Sequence, residues 1–299
     1  MSDTHASLNT GPSLGAMARI ETIRLARNPF FIIANLVSFG FLVYFLVAGE
    51  SRDLTTQDLL SWPVVPAFFV GLTSLVVLAR QTRSTEAAAE AMSAAPGSES
   101  QRTAALVLAC LLPAAHGLVW AITEVVSMHF QDVPPEEWWF GNVNDVRVWA
   151  MLLGSTAVAC FGGALLGVLV GRWLGFPGAP AVVVVALVVV DMIAQGALAA
   201  SSAPVARLWA PWIMWYGGTE TDNTAQLYAG NAGFSLIYLL CLCAVAIIAA
   251  TWHDRAARTT QLKRAIVVTA VVGLAALALS MTTGDTHNHV SPPAAERSA

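Results

Sequence analysis

Seven runs of this sequence contain no Lys or Arg: 30–48, 62–79, 104–122, 148–170, 180–200, 233–252 and 265–281, each 17 to 23 residues long. An α-helix of that length crosses a hydrocarbon core of about 30 Å. The runs lack strand alternation, and lipid accepts only a backbone that satisfies its own hydrogen bonds. The fold class expected is therefore all-α, a polytopic helical membrane protein with seven spans. Composition agrees: 11% of the residues are charged and the mean hydropathy is +0.64, whereas soluble domains carry roughly 25% charged residues.

The opening MSDTHASLNTGPSLG is polar and lacks the apolar core and cleavage site of a secretory signal, so the first span is expected to be an uncleaved helix. Asn28 can cap that helix, and Pro29 suits its first turn. Cys110, Cys160, Cys241 and Cys243 all fall in spans and read as small core residues, with no loop disulfide. Arginine outnumbers lysine fourteen to one, a bias that suggests a GC-rich bacterial genome and a bacterial plasma membrane.

Basic residues beside spans stay cytoplasmic. Arg19, Arg24, Arg27, Arg80, Arg83, Arg102, Arg172, Arg255, Arg258, Lys263 and Arg264 all fall on one side if the spans alternate strictly, against Arg52, Arg147, Arg207 and Arg297 on the other. The N-terminus is then inside and the C-terminus outside; the net charge of −4 matters less than this asymmetry. Trp138 and Trp139, and the cluster Trp209, Pro211, Trp212, Trp215 and Tyr216, fall in outer segments, the headgroup level that such rings prefer. Residues 208–216 are either an anchoring belt or a lid over a pathway. Three regions follow: a cytoplasmic segment 1–29, with an interfacial elbow helix over 14–28; a transmembrane domain 30–281; and a disordered outer tail 282–299.

One polar stretch stands out, residues 80–103, RQTRSTEAAAEAMSAAPGSESQRT. Ser84 reads as an N-cap, and Glu86 suits the positive start of a helix. Ala88, Ala91, Met92 and Ala95 recur at helical spacing, Glu86, Glu90 and Ser93 mark another face, and Pro96-Gly97 ends the run. A helix over 84–95 measures about 16 Å and is marginal alone in water, so it needs a surface to lean on. It is either a solvated turn or a docking element for a cytoplasmic partner.

The order of features resembles the ABC-2-type permease family: a basic interrupted segment, span 1, an outer turn, span 2, a cytoplasmic helix with Thr and Glu, then Pro and Arg-Thr before span 3. Arg83, Ser84, Thr85, Glu86, Pro96, Arg102 and Thr103 carry the likeness, which extends loosely over residues 14–252; a seventh span is added here. The resemblance implies that Arg83, Ser84, Thr85, Glu86, Glu90 and Met92 couple to a separate ABC ATP-binding subunit. It also implies that the chain pairs with a second permease copy or paralogue in the lipid bilayer. The sequence holds no G-x-x-x-x-G-K-[ST], and Leu262 precedes its one lysine, Lys263. No cofactor is expected in this chain: ATP belongs to the partner subunit, and the chain is not itself an enzyme.

Within the spans, Ser155, Ala159, Gly163, Gly167 and Gly171 form a small-residue stripe that lets helices approach closely, inside the subunit or at a dimer seam. Asp191 is the one acidic residue deep in a span, Gln195 shares its face, and His116 lies at similar depth with Pro113 one turn before. Intramembrane charge is costly, so these residues line a transport path, serve a proton-sensitive switch, or brace helices. Asn35 reads as a bond between helices, and Glu124 and Asp145 as solvated charges bracketing an outer loop. The H-x-H of His287 and His289 is weak evidence for a metal. HExxH, CxxC and GxSxG are absent. The preferred function is an ABC-type exporter permease subunit; a membrane enzyme or sensor using His116 and Asp191, and a passive scaffold, are the alternatives.

Overall fold

The computed structural model describes residues 13–49, 62–91, 98–130, 145–199, 201–219 and 224–290. Seven of its helices are long and apolar enough to cross a membrane: Pro29–Val47, Val64–Ala88, Glu99–Ser127, Val146–Trp173, Ala179–Leu198, Ala232–Trp252 and Thr260–Thr282. The chain is an all-α polytopic membrane protein. A short helix α1 (Leu14–Ala26) precedes them, capped by Ser13. We number the spans α2 (Pro29–Gly49), α3 (Val64–Pro66, a π-type turn Ala67–Gly71, then Leu72–Ala91) and α4 (Glu99–Ala109 running on through Leu111–Phe130). They continue with α5 (Asp145–Leu153, a π-type turn, then Ala159–Trp173), α6 (Ala179–Ile193 and Ala194–Leu198), α7 (Ala232–Trp252) and α8 (Thr260–Thr282).

The centre of the bundle is the pair α3 and α5. Their packing surfaces are the small-residue stripe of α5 and the backbone of α3. A Cβ added at Gly163 would sit 2.7 Å from the Gly71 carbonyl oxygen, and one at Gly171 would sit 2.7 Å from Thr82 Cβ. At Gly167 it would strike the Leu75 carbonyl and lie 2.8 Å from Leu75 Cα. Around this seam Leu25, Phe31, Val70, Leu78, Leu106, Cys110, Cys160, Val168 and Cys243 form one buried cluster drawn from α1, α2, α3, α4, α5 and α7. All four cysteines carry free thiols. Helices α7 and α8 pack as a hairpin, while α6 leaves Val182, Val185, Val189 and Met192 exposed toward the lipid.

Two features differ from the sequence reading. The polar run after span 2 is no separate helix: α3 continues unbroken through Ser84 to Ala91. The Ser84 hydroxyl donates to the Gln81 carbonyl 2.8 Å away instead of capping an N-terminus. Residues 92–97, Met92 among them, and the Glu90 side chain lie outside the described residues. Val64 to Ala91 amounts to about 42 Å of helix at 1.5 Å per residue, against about 30 Å of hydrocarbon, so α3 overhangs the bilayer. Helix α4 starts at Glu99, before the apolar run, because Ser98 and Gln101 form a capping box.

The second difference is at the opposite end. Residues 283–290 are not a free tail. Strand β3 (His289–Val290) pairs antiparallel with β2 (Thr224–Leu227), which pairs with β1 (Tyr216–Thr219). Asp285 bridges to Gly230, whose φ of 117° only glycine adopts without strain. Asn288 accepts from Ala229 N and donates to the Ala199 carbonyl. Residues 291–299 fall outside the described part of the tail.

The seam yields the first prediction. Gly167→Ala should lower the stability of the purified protein by about 1–3 kcal/mol through overpacking, read from unfolding in detergent. Gly40→Ala, where a Cβ meets nothing within 4 Å, should leave the midpoint unchanged.

Candidate functional site

The segments that the charge count places on one side of the membrane meet at one end of the bundle, in two linked clusters of polar side chains. The first joins α1 to the overhang of α3. Gln81 Nε2 donates to Glu21 Oε2 at 2.5 Å and to the Glu21 carbonyl at 2.9 Å. Arg24 donates to Ser84 Oγ at 2.8 Å, to Thr85 Oγ1 at 3.2 Å and to the Glu21 carboxylate at 3.1 Å. Thr85 in turn bonds Glu21 Oε1 at 3.4 Å. Arg83, on the next face, donates to the carbonyls of Leu174 and Phe176, just past the end of α5.

The second cluster is an ion-pair knot around a buried arginine. Arg172, the last charge of α5, has a side chain only 1% exposed. Its Nη1 pairs with Glu86 of α3 at 2.5 Å and with Glu99 of α4 at 3.4 Å. Glu99 also meets His253 Nδ1, at the end of α7, at 2.5 Å. The His253 ring stands edge-on to Trp173, whose indole N–H donates to the Ala249 carbonyl. Beside it Asp254 accepts from Ser100 N, an otherwise orphan donor of the first turn of α4. Three spans are thus tied through one guanidinium, and α7 joins them through Glu99. The charge count placed Arg172 among the basic residues beside spans; it lies inside the protein because α5 runs through Trp173.

The ligand atoms of Glu86, Glu99 and His253 all lie within 4.8 Å of one another, a spacing that would suit a metal ion. The Arg172 guanidinium already pairs with both carboxylates of this trio, which makes the arrangement a protein ion-pair cluster. A buried charge is costly unless it is paired well, and here one cation is shared between two carboxylates.

The polar groups within the bilayer are dispersed. His116 Nε2 bonds Ser38 Oγ of α2 at 2.9 Å, and its ring lies 4.3 Å from Phe39. Asp191 has Gln195 one turn on, and Gln195 Nε2 donates to the Trp212 carbonyl at 3.2 Å. His116 and Asp191 thus sit in different neighbourhoods and share no partner among the described residues. Asn35 donates to Phe31 of its own helix at 2.6 Å rather than across helices. Glu124, read from the sequence as a solvated loop charge, is 1% exposed within α4 beside Trp120. The apolar run ends at 122, but α4 does not, and that difference places the carboxylate inside.

At the far end residues 201–219 and 224–231 fold over the bundle. Ile213, Trp215 and Tyr216 are buried, and Ser155 Oγ donates to the Ile213 carbonyl. Arg207, 0% exposed, donates to the carbonyls of Met214 (2.7 Å) and Ala229 (3.1 Å) and lies between the rings of Trp215 and Tyr228. Burial works against its charge and brings the guanidinium down to about 10, with Tyr228 opposing that shift. No protein-family model, curated protein or solved structure matches this chain.

Arg172→Gln removes the shared cation and leaves two carboxylates facing each other. It should destabilise the protein by about 3–5 kcal/mol in detergent unfolding, whereas Arg19→Gln, on the exposed face of α1, should stay within about 0.5 kcal/mol. Zn²⁺ should raise the midpoint of Arg172→Gln through Glu86, Glu99 and His253 and leave wild type unmoved.

Proposed function

We propose that this chain is the membrane-spanning permease subunit of an ABC-type exporter in a bacterial plasma membrane, working with a separate ATP-binding subunit and a second permease. The observation that supports this reading is the overhang of α3. Beyond Arg80 it continues for about 17 Å as unbroken helix, and it is bolted at Arg83 and Glu86 to α5, whose Arg172 is tied through Glu99 to α4 and α7. Force applied at the tip is therefore delivered to three other spans at once. A passive scaffold has no need of such a lever, and an enzyme needs convergent polar groups within reach of a substrate. The resemblance carried by residues 83–86 and 96–103 supports the choice of an ATPase as the partner.

The geometry also changes which residues test the idea. Arg83, Ser84, Thr85 and Glu86 are occupied with their own chain, so a partner would meet the exposed small residues beyond them. Ala87 and Ala88 are exposed. Ala87→Arg with Ala88→Arg should abolish co-purification of a P-loop ATPase from native membranes at an unchanged unfolding midpoint. Glu86→Gln should lower the unfolding free energy by about 1.5–3 kcal/mol, the range for hydrogen bonds to charged groups, while the ATPase still co-purifies. If no P-loop protein accompanies the wild-type chain in gentle detergent, or if the double arginine variant retains it, the permease reading fails.

A further inference from the structure

Beside the Arg24–Ser84 contact the described residues enclose an open groove. It lies between α2 and α3, closed at one edge by Val184 of α6, with a volume of about 810 Å³. Its lining is sorted by depth. At the charged end stand Arg24, Asn28, Arg80, Gln81 and Ser84; deeper in, the walls are wholly apolar apart from Thr73. Helix α2 contributes Phe30, Ile33, Ala34 and Val37 on successive turns, and α3 contributes Phe69, Leu72, Val76 and Val77. Phe30 and Ile33 are more than half exposed, so the groove opens sideways from the bundle into the surrounding bilayer.

Its dimensions fit one leaflet. Phe69 to Arg80 spans about 16 Å of helix, close to half of a hydrocarbon core of about 30 Å, so the apolar wall ends near the midplane. The mouth has the opposite chemistry. Arg80 is exposed and makes no hydrogen bond or ion pair among the described residues. Arg24 directs one nitrogen to Glu21 and another to Ser84, so the mouth keeps a net positive charge. Asn28 spends its carbonyl oxygen on the first turn of α2, which leaves its NH₂ as a further donor. We propose that this groove is a binding site for an anionic glycerophospholipid of the leaflet next to α1. Its phosphate is held by Arg80, Arg24 and the Asn28 NH₂, and one acyl chain lies along Ile33, Val37, Leu72 and Val76. A zwitterionic lipid fills the same walls but offers the mouth no net charge. A lipid in this position also spaces α2 from α3 and touches the root of the overhang at Ser84, without depending on any ATPase.

The test uses the full chain in dodecyl maltoside micelles doped with phosphatidylglycerol or with phosphatidylcholine of the same acyl length. Lipid retained per protein is read by native mass spectrometry. Wild type should hold phosphatidylglycerol over phosphatidylcholine. Arg80→Gln should lose about fivefold in phosphatidylglycerol retention, the effect of one basic residue near a membrane surface, and it should fold normally because Arg80 supports nothing else. Arg24→Gln should lose at least as much. Ile33→Trp with Val76→Trp, which fills the walls and keeps both arginines, should also shed the lipid. Equal retention of the two lipids, or wild-type retention by Arg80→Gln, overturns the proposal. So does inorganic phosphate alone displacing phosphatidylglycerol equally from wild type and from the tryptophan variant, which would mark a headgroup site without a groove.

Discussion

Everything in this bundle is arranged around the close approach of α3 and α5. In lipid there is no hydrophobic drive for one apolar helix to leave the tails for another, so association depends on packing contacts and polar bonds. Gly163, Gly167 and Gly171 supply the first, because at each of them a single methyl group would overlap the opposite backbone or side chain. Arg172 supplies the second, at the position next to the last glycine. The stripe that brings the backbones together thus delivers a buried cation to the half-buried carboxylates of Glu86 and Glu99. Neither device suffices alone: without the glycines the guanidinium could not reach across, and without the guanidinium the carboxylates of α3 and α4 would repel.

The seven spans were legible because lipid imposes one requirement on composition and another on length, and both can be counted along a chain. The limits of that reading are equally physical. Charge marks where lipid ends, but it does not mark where a helix ends. Hence Ser84, a good cap by type, lies mid-helix, and Glu124, just past an apolar run, lies inside the protein. The start of α4 was in fact written in Ser98-Glu99-Ser100-Gln101, a capping-box spacing. The small-residue stripe on α5 could be read from the sequence, but its partner could not, since α3 carries no complementary pattern. The knot was out of reach: Glu86, Glu99, Arg172 and His253 are separated by up to 167 positions, and only their common side of the membrane, inferred from the charge count, linked them.

The two ends of the molecule solve the same problem differently. At the charged end long side chains from several helices interlock, so helix ends are held by ion pairs and backbone carbonyls. At the other end a connecting segment turns back over the bundle. It hides its polar backbone in a three-stranded pairing and around the Arg207 guanidinium, which bonds two carbonyls at once. The aromatic cluster there is only partly the surface belt that its composition suggests. Trp215 and Tyr216 are buried, whereas Trp209 remains 42% exposed. Trp212 reaches the bundle, where a Cβ on Gly71 would lie 3.4 Å from its ring, so this cap touches the same π-type turn of α3 that meets Gly163.

That contact gives α3 a distinctive place in the fold. It is gripped by Trp212 near one end, by the glycine face of α5 along its length, and by Arg172, Arg24 and the end of α5 at the other. A helix held at so many points cannot bend locally without breaking several contacts, so displacement at its tip moves the whole helix as a rod. The contacts it would have to slide against differ in kind. The glycine seam is close van der Waals packing, backbone against backbone at Gly163 and Gly167 and against the Thr82 side chain at Gly171, while the polar bonds at the charged end are discrete and offer alternative acceptors. Glu86 and Glu99 both lie within reach of one guanidinium, and Ser84 and Thr85 both lie within reach of Arg24. Neither Arg172 nor Arg24 therefore depends on a single acceptor for its charge.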